Sequence, residues 1–283
     1  MSKAPETEKR PRFSWYRDDI ESKLGVTGGR FTRVNSVIWL ILAMVLTVVA
    51  YGIMSFFPDY RLVQMFTKRG PVQYVVVLFA FWSLLILLVK MSKTKAQRKT
   101  LEVKDIVPYE ADFVLSPATV GAVLNRLREE CDDPSRYILF NRIDMALSNL
   151  KNMGQIGDVD GVLQSQAHND EDVMESSYSL IKGLIWAIPV LGFIGTVQGL
   201  SSAIGYFGQV LSGNAELSEI KPALQQVTGG LATAFETTFV ALVAALIIQL
   251  ILTVVRKGEE EMMDECKEYC QRYVVGKLRM TPL

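Results

Sequence analysis

The sequence predicts an all-α membrane protein with four transmembrane helices and a cytoplasmic helical bundle, formed by the long loop and by extensions of helices 3 and 4. Three observations predict it. Apolar runs at 34–57, 72–89, 183–206 and 227–255 come close to or exceed the roughly 20 residues that cross a bilayer. Lys and Arg concentrate in alternate segments between those runs. No stretch sustains the period-two alternation of a half-buried strand. The formal net charge is +0, so bulk electrostatics implies no polyanionic partner such as nucleic acid.

The first element, 1–33, is polar and basic. It is too long and too charged for the leading region of a cleaved signal peptide, and no A-x-A-like site follows. The first span therefore reads as an uncleaved anchor. Residues 15–24 fit either an amphipathic helix on the inner leaflet or part of a mobile tail. The first two runs form a peripheral hairpin, 34–91, around an external loop at 58–71 that is too small to be a domain.

Segment 92–182 is the one sizeable soluble region, broken at Pro108, Ser116-Pro117 and Asp133-Pro134. Ser116 suits a helix cap with Pro117 in the first turn. Val120, Val123, Leu124 and Leu127 then make a helical apolar stripe, and Ile138, Ile143, Leu147 and Leu150 make another. Residues 158–163 suit a short helix or turn. Residues 169–177 are acidic and lead into the third span. Helices 3 and 4 occupy 183–255. The fourth run has 29 residues, about 44 Å as a helix against a hydrocarbon core of about 30 Å, so it must tilt or continue out of the bilayer. In the C-terminal helix, 256–283, Met262, Cys266, Tyr269, Cys270, Tyr273 and Val274 keep helical spacing, and Gly258 weakens the helix without forbidding it.

Segments 1–33, 90–182 and 256–283 hold 26 of the 30 Lys and Arg. By the positive-inside rule both ends of the chain are then cytoplasmic. Cys131, Cys266 and Cys270 fall on that side and stay reduced. The Cys266–Cys270 pair suits packing far better than metal binding, because His168 is the only histidine and lies far off. No cofactor is expected.

The candidate functional residues lie in the third and fourth runs. A carboxylate in a span, Glu236, costs roughly 2.5–3.5 kcal/mol at the centre on insertion scales, and such residues usually mark ion paths or proton relays. No Lys or Arg lies within a run to neutralise it, which favours a protonated or water-contacted carboxyl. Thr196 lies 11 residues before Phe207, at the outer end of the third span, and Thr238 lies 11 residues after Val227, at the outer start of the fourth, a matching depth of about 16 Å. Gly192, Thr196, Gly199 and Ala203 share one side of helix 3, and Ala234, Thr238, Ala241 and Ala245 share one side of helix 4. Small residues let helices approach closely in lipid, so part of this pattern also has a packing reading. Glu236 and Thr238 differ by 200° and cannot point the same way. Three arrangements remain open: Thr238 on a pore with Glu236 against a neighbouring helix, the reverse, or Glu236 in a static hydrogen bond within the bundle.

Two runs carry a resemblance: Pro189…Gly192-x-x-Gly195-Thr196-Val197-x-Gly199, and Ala234-x-x-x-Thr238-x-x-Ala241-x-x-Ala244-Ala245. They resemble the MotA/TolQ/ExbB proton-channel family over about 181–255. The resemblance places Thr196 and Thr238 on the family's pore-lining threonines. The carboxylate frequent in TolQ and ExbB falls on Thr233, and Glu236 is displaced from it by three residues. Four spans resemble MotA, whereas the Gly-Thr-Val-x-Gly wording resembles TolQ and ExbB.

The resemblance implies the pore-forming subunit of an ion-driven motor in a bacterial inner membrane, carrying protons or possibly sodium. It implies a pentamer around two copies of a single-span, MotB/TolR/ExbD-like partner that bears a membrane Asp. The expected ion path comprises Thr196, Thr238, Glu236, Thr233 and Thr237. Pro189, Gly192, Gly195, Gly199, Ala234, Ala241 and Ala245 are expected in helix packing. Arg126, Arg128, Glu129 and Glu130 form a candidate contact with an internal load, or else a solvated helix end. A passive oligomeric scaffold is the rival reading. An enzyme has little support, since no GxxxxGK loop, metal cluster or Ser/His/Asp grouping is present in the sequence.

Overall fold

The computed structural model describes residues 11–26, 28–103, 106–108, 113–153, 157–212 and 217–278. The outermost parts of the expected terminal segments, 1–10 and 279–283, lie outside them. The described chain is helical, with no strand and only isolated bridges pairing Phe13 with Cys131 and Leu115 with Leu278. It runs α1 (Trp15–Asp18), α2 (Ile20–Lys23), α3 (Ser36–Met54), α4 (Arg61–Thr67), α5 (Val72–Arg98), α6 (Val120–Glu130), α7 (Ile138–Met153), α8 (Gly157–Ser177), α9 (Ser179–Ser212) and α10 (Leu217–Tyr269). Four helices are long and apolar enough to cross a membrane, so this is a multi-pass membrane protein.

The chain forms two compact units. One comprises Ser36–Leu87 and Tyr178–Val254, the other Met1–Asn35, Leu88–Ser177 and Val255–Leu283.

The first of these contains the apolar helices. Along α3 only Trp39, Ala43 and Thr47 are buried, one residue per turn. Val37, Ile41, Val45, Val48 and Ile53 point outward, as on a helix surrounded by lipid rather than water. Hydroxyls inside apolar helices return to backbone carbonyls: Thr47 donates to Ala43 O at 2.7 Å and Ser83 to Phe79 O at 2.8 Å. The Trp82 indole donates to Ser36 O at 3.0 Å, tying α5 to the start of α3. In the external loop, α4 is followed by Gly70 at φ +91°, a conformation other residues rarely adopt, and by Pro71. The buried Gln73 amide donates to Met65 O at 3.1 Å and fixes that turn.

The second unit has a conventional core of large side chains. All four residues of the α6 stripe are buried, as are Ile138, Ile143, Leu147 and Leu150 of α7. Met262, Cys266, Cys270 and Val274 are buried at the C-terminal end, so the helical spacing beyond the fourth run marks a packed face. Residues 158–163 do not form a short element. They begin the 21-residue α8, because the acidic stretch that follows keeps helical character through Ser177. Pro117 lies in a turn and α6 starts at Val120, where Thr119 rather than Ser116 is the capping residue.

The N-terminal segment differs from both expectations. It is neither a free tail nor a helix facing lipid with its apolar side. Phe13 and Trp15 are buried against Tyr137 and Phe140, with ring centroids 5.3 Å apart for Phe13–Phe140 and Trp15–Tyr137. Edge-to-face aromatic pairs favour this geometry. Asp19 and Glu21 are buried as well, and Glu21 meets the Lys93 ammonium at 2.5 Å. Lys90 and Lys93, at the end of the second apolar run, are interior groups. Lys90 pairs with Glu259 at 3.1 Å, and Thr32 donates to the other oxygen of Glu259. Arg142 pairs with Asp170 at 2.8 Å, also fully inside. Burial of these cations is tolerable because each meets a carboxylate and further hydrogen bonds.

Candidate ion path

The site is built on the contact between α9 and α10. Ile181, Leu184, Ile188, Gly192, Gly195, Gly199 and Ala203 are buried along α9, three or four residues apart. Ala234, Thr237, Ala241, Ala245 and Ile248 are their counterparts on α10. A Cβ added at Gly192 would stand 2.6 Å from Ala241 Cβ, and one at Gly199 would stand 2.9 Å from the Gly230 carbonyl oxygen. One at Gly230 would meet Ala203 Cβ at 2.5 Å. The glycines are needed because the two backbones touch, the geometry that small residues permit between helices in lipid. A seam this close leaves no lumen between the two helices of one chain.

Pro189 sits inside α9, one turn before the seam begins at Gly192. It lacks an N–H and its ring conflicts with the preceding turn, which weakens the helix locally.

The threonines flank the seam. Thr237 is fully buried against Gly195, and its hydroxyl bonds to Thr233 O and Ala234 O at 3.0 Å each. Its place is in helix packing, not on an open surface. Thr238 is half-buried and donates to Gly192 O of the facing helix at 3.0 Å. At 100° per residue Thr237 and Thr238 fall on opposite sides of the Ala234–Ala241 line, so both border the seam. Thr196 is half-buried, adjoins Gly195, and turns its hydroxyl onto Phe193 O at 2.6 Å.

Glu236 points away from the seam, toward the external loop. Arg69 Nε meets its Oε2 at 2.6 Å, and Arg69 Nη1 lies 3.3 Å from Thr233 Oγ1. About a fifth of each charged side chain remains exposed, 23% for Arg69 and 19% for Glu236. The expectation of a carboxylate without a basic partner is therefore corrected. The cation comes from outside the spans: an arginine in a short loop reaches a residue within the neighbouring helix. The signal was present in sequence as Lys68-Arg69-Gly70-Pro71, a basic pair fixed by turn residues.

Beside the pair lies a polar cavity of about 460 Å³, lined by Lys68, Arg69, Gln198, Ser202, Gln226 and Thr233 among others. Gly195, Gly199 and Gly230 form part of its wall, so the backbone of the seam borders it directly. Among the described residues, then, Arg69 and Thr233 line the cavity and Glu236 is tied to it through Arg69, while Thr196, Thr237 and Thr238 belong to the seam or its border. Arg126, Arg128 and Glu129 are exposed near the end of α6, and Glu130 is half-buried there.

A small-residue helix seam bordered by hydroxyls, in a multi-pass membrane protein, is the close helix packing that lipid favours. Residues 131–268 match the MotA/TolQ/ExbB proton channel family model, and the chain carries that family's domain over this stretch. The matched stretch takes in α7 to α9 and all but the last residue of α10, and leaves out α3, α4 and α5. It is a channel family, not an enzyme family. No curated protein and no solved structure matches the chain.

Proposed function

We propose that the chain is the pore-forming subunit of an ion-driven motor in a bacterial inner membrane, with both termini cytoplasmic. It couples ion flow, of protons before sodium, to mechanical work through a single-span partner. The observation that carries this reading is the α9–α10 pair: inside a proton-channel domain, hydroxyls and a carboxylate cluster along a seam that borders a polar cavity. Because that seam is closed within one chain, the path runs along an outer face of the pair and is completed by other subunits. A pentamer with α9 and α10 inside and α3 and α5 outside supplies that completion. Two copies of a MotB/TolR/ExbD-like partner then place a membrane Asp near Thr196 and Thr238. Arg126, Arg128, Glu129 and Glu130 are the surface for an internal load. No cofactor is needed for this role.

The test is proton flux in liposomes containing the full chain with and without a single-span, Asp-bearing partner, together with native mass spectrometry of the assembly. Partner-dependent flux that falls in Thr196→Val and Thr238→Val supports the reading. Monomers in mild detergent, or flux unaffected by both substitutions, would sink it. A passive scaffold is the second reading. It is favoured by the fact that Thr196, Thr237 and Thr238 all spend their hydroxyls on backbone carbonyls. It predicts an assembled ring that never conducts.

A further inference from the structure

We infer that Arg69 is the closing element of an outer gate, holding Glu236 in an ion pair so that the carboxylate cannot draw cations into the polar cavity. The inference rests on the channel reading above and adds a residue outside the matched domain, since Arg69 lies in the α4–α5 loop and Glu236 on α10.

Three observations carry it. First, the guanidinium holds Glu236 Oε2 at 2.6 Å and touches Thr233, so one side chain spans two groups a turn apart on α10. Second, Arg69 and Thr233 line the cavity of about 460 Å³, whose other polar walls are Gln198, Ser202, Gln226 and Lys68. With the pair formed, the charge facing the cavity mouth is the exposed Lys68, which repels an arriving cation. With Arg69 removed, the Glu236 carboxylate loses the cation that separates it from the cavity, three residues from Thr233 in the cavity wall, and concentrates cations there. Third, the arginine is placed by a built turn. Gly70 holds φ +91°, Pro71 follows, the Gln73 amide bonds Met65 O at 3.1 Å, and Tyr51 OH bonds Phe66 O at 3.4 Å. The partly exposed setting also suits a pair that opens. A fully buried pair would be locked, and a fully solvated one would be screened.

The experiment uses the full chain, reconstituted alone in liposomes with an imposed proton gradient and a trapped pH-sensitive dye, and a parallel set with a sodium gradient. Arg69→Gln should raise the leak about tenfold over the unsubstituted chain, the lower end of the enrichment a charged cleft produces. Glu236→Gln and the double variant Arg69→Gln/Glu236→Gln should stay near the unsubstituted level, and the exchanged pair Arg69→Glu/Glu236→Arg should return toward it. Thermal unfolding of the unsubstituted chain, Arg69→Gln, Glu236→Gln and their double variant closes a double-mutant cycle that reads the pair itself. A leak in Arg69→Gln equal to the unsubstituted chain, or a cycle without coupling, overturns the gate. Failure of the channel reading looks different: partner-dependent flux is absent while Arg69→Gln still leaks.

Discussion

In the unit containing the N-terminal segment, the ends of α5 and α10, and α6 to α8, Lys90, Lys93 and Arg142 are almost wholly enclosed and each faces a carboxylate. In the unit containing α3, α4, α9 and most of α10, the α9–α10 seam encloses mainly Gly, Ala and Thr, and many large side chains point outward. The first unit fills its interior with bulk and paired charge under an exposed polar surface. The second brings backbones into contact and leaves Phe193, Phe235, Phe239 and Leu246 outside. The contrast follows from the surroundings of each. In water, large apolar side chains gain by leaving solvent. In lipid that gain vanishes, and close packing of small residues holds helices together instead.

The largest break in this contrast should come from the buried pairs. Lys90→Met leaves Glu259 charged and without its ammonium, and should cost about 3–5 kcal/mol in thermal or denaturant unfolding. Pairing it with Glu259→Leu should recover most of that loss, because both charges then leave the interior together. If the single and double variants unfold alike, the pair is not what holds Glu259.

Next in size is the seam. Gly199→Val puts a side chain against the Gly230 carbonyl, an obstacle of backbone rather than of a flexible tip. Overpacking should cost about 1–3 kcal/mol, read as a lower unfolding midpoint in mild detergent. Gly258 is the control. Nothing stands within 4 Å of its added Cβ, so Gly258→Ala should stabilise by about 1 kcal/mol through helix propensity alone.

Smaller still is the exposed cluster on α6. Charge reversal at Arg126 and Arg128 should shift stability by less than about 0.5 kcal/mol, since both are exposed. Lost motor output with normal assembly would sharpen the load-contact reading. Normal output would return the cluster to a solvated helix end.

The least effect should be seen at Cys131. Burial pushes its thiol up to about 12, so almost none is thiolate at pH 8 and alkylation should wait for unfolding. Rapid labelling of the folded protein would show that this part of the core opens readily.

The four spans, the α6 and α7 stripes and the extension of the fourth helix were all legible, because helical periodicity and apolar length are local properties of sequence. Thr238 meets Gly192 across the seam, one turn from Thr196, a register that counting from the ends of the runs does not fix. The rotation that puts Gly195 and Thr237 at the centre of the seam was less legible. Thr237 and Thr238 lie equally near the small-residue line, and only packing against α9 decides between them. The Arg69–Glu236 pair spans 167 positions and the Lys93–Glu21 contact 72. Nothing local announces such contacts. A lysine beside a hydrophobic run looks identical whether it meets water or a distant carboxylate.

The Lys90–Glu259 pair has a consequence for the order of events during synthesis. The two residues are 169 positions apart, so the cation is made long before its anion. At translation rates of about 5–20 residues per second, that gap lasts roughly ten to thirty seconds. For that interval Lys90 is an uncompensated charge at the end of the second hydrophobic run, where a positive residue helps to fix which way the hairpin is inserted. Only when the last part of the fourth helix arrives does Glu259 draw the same ammonium into the interior. One lysine thus serves first as a signpost for the insertion machinery and then as a keystone of the finished fold.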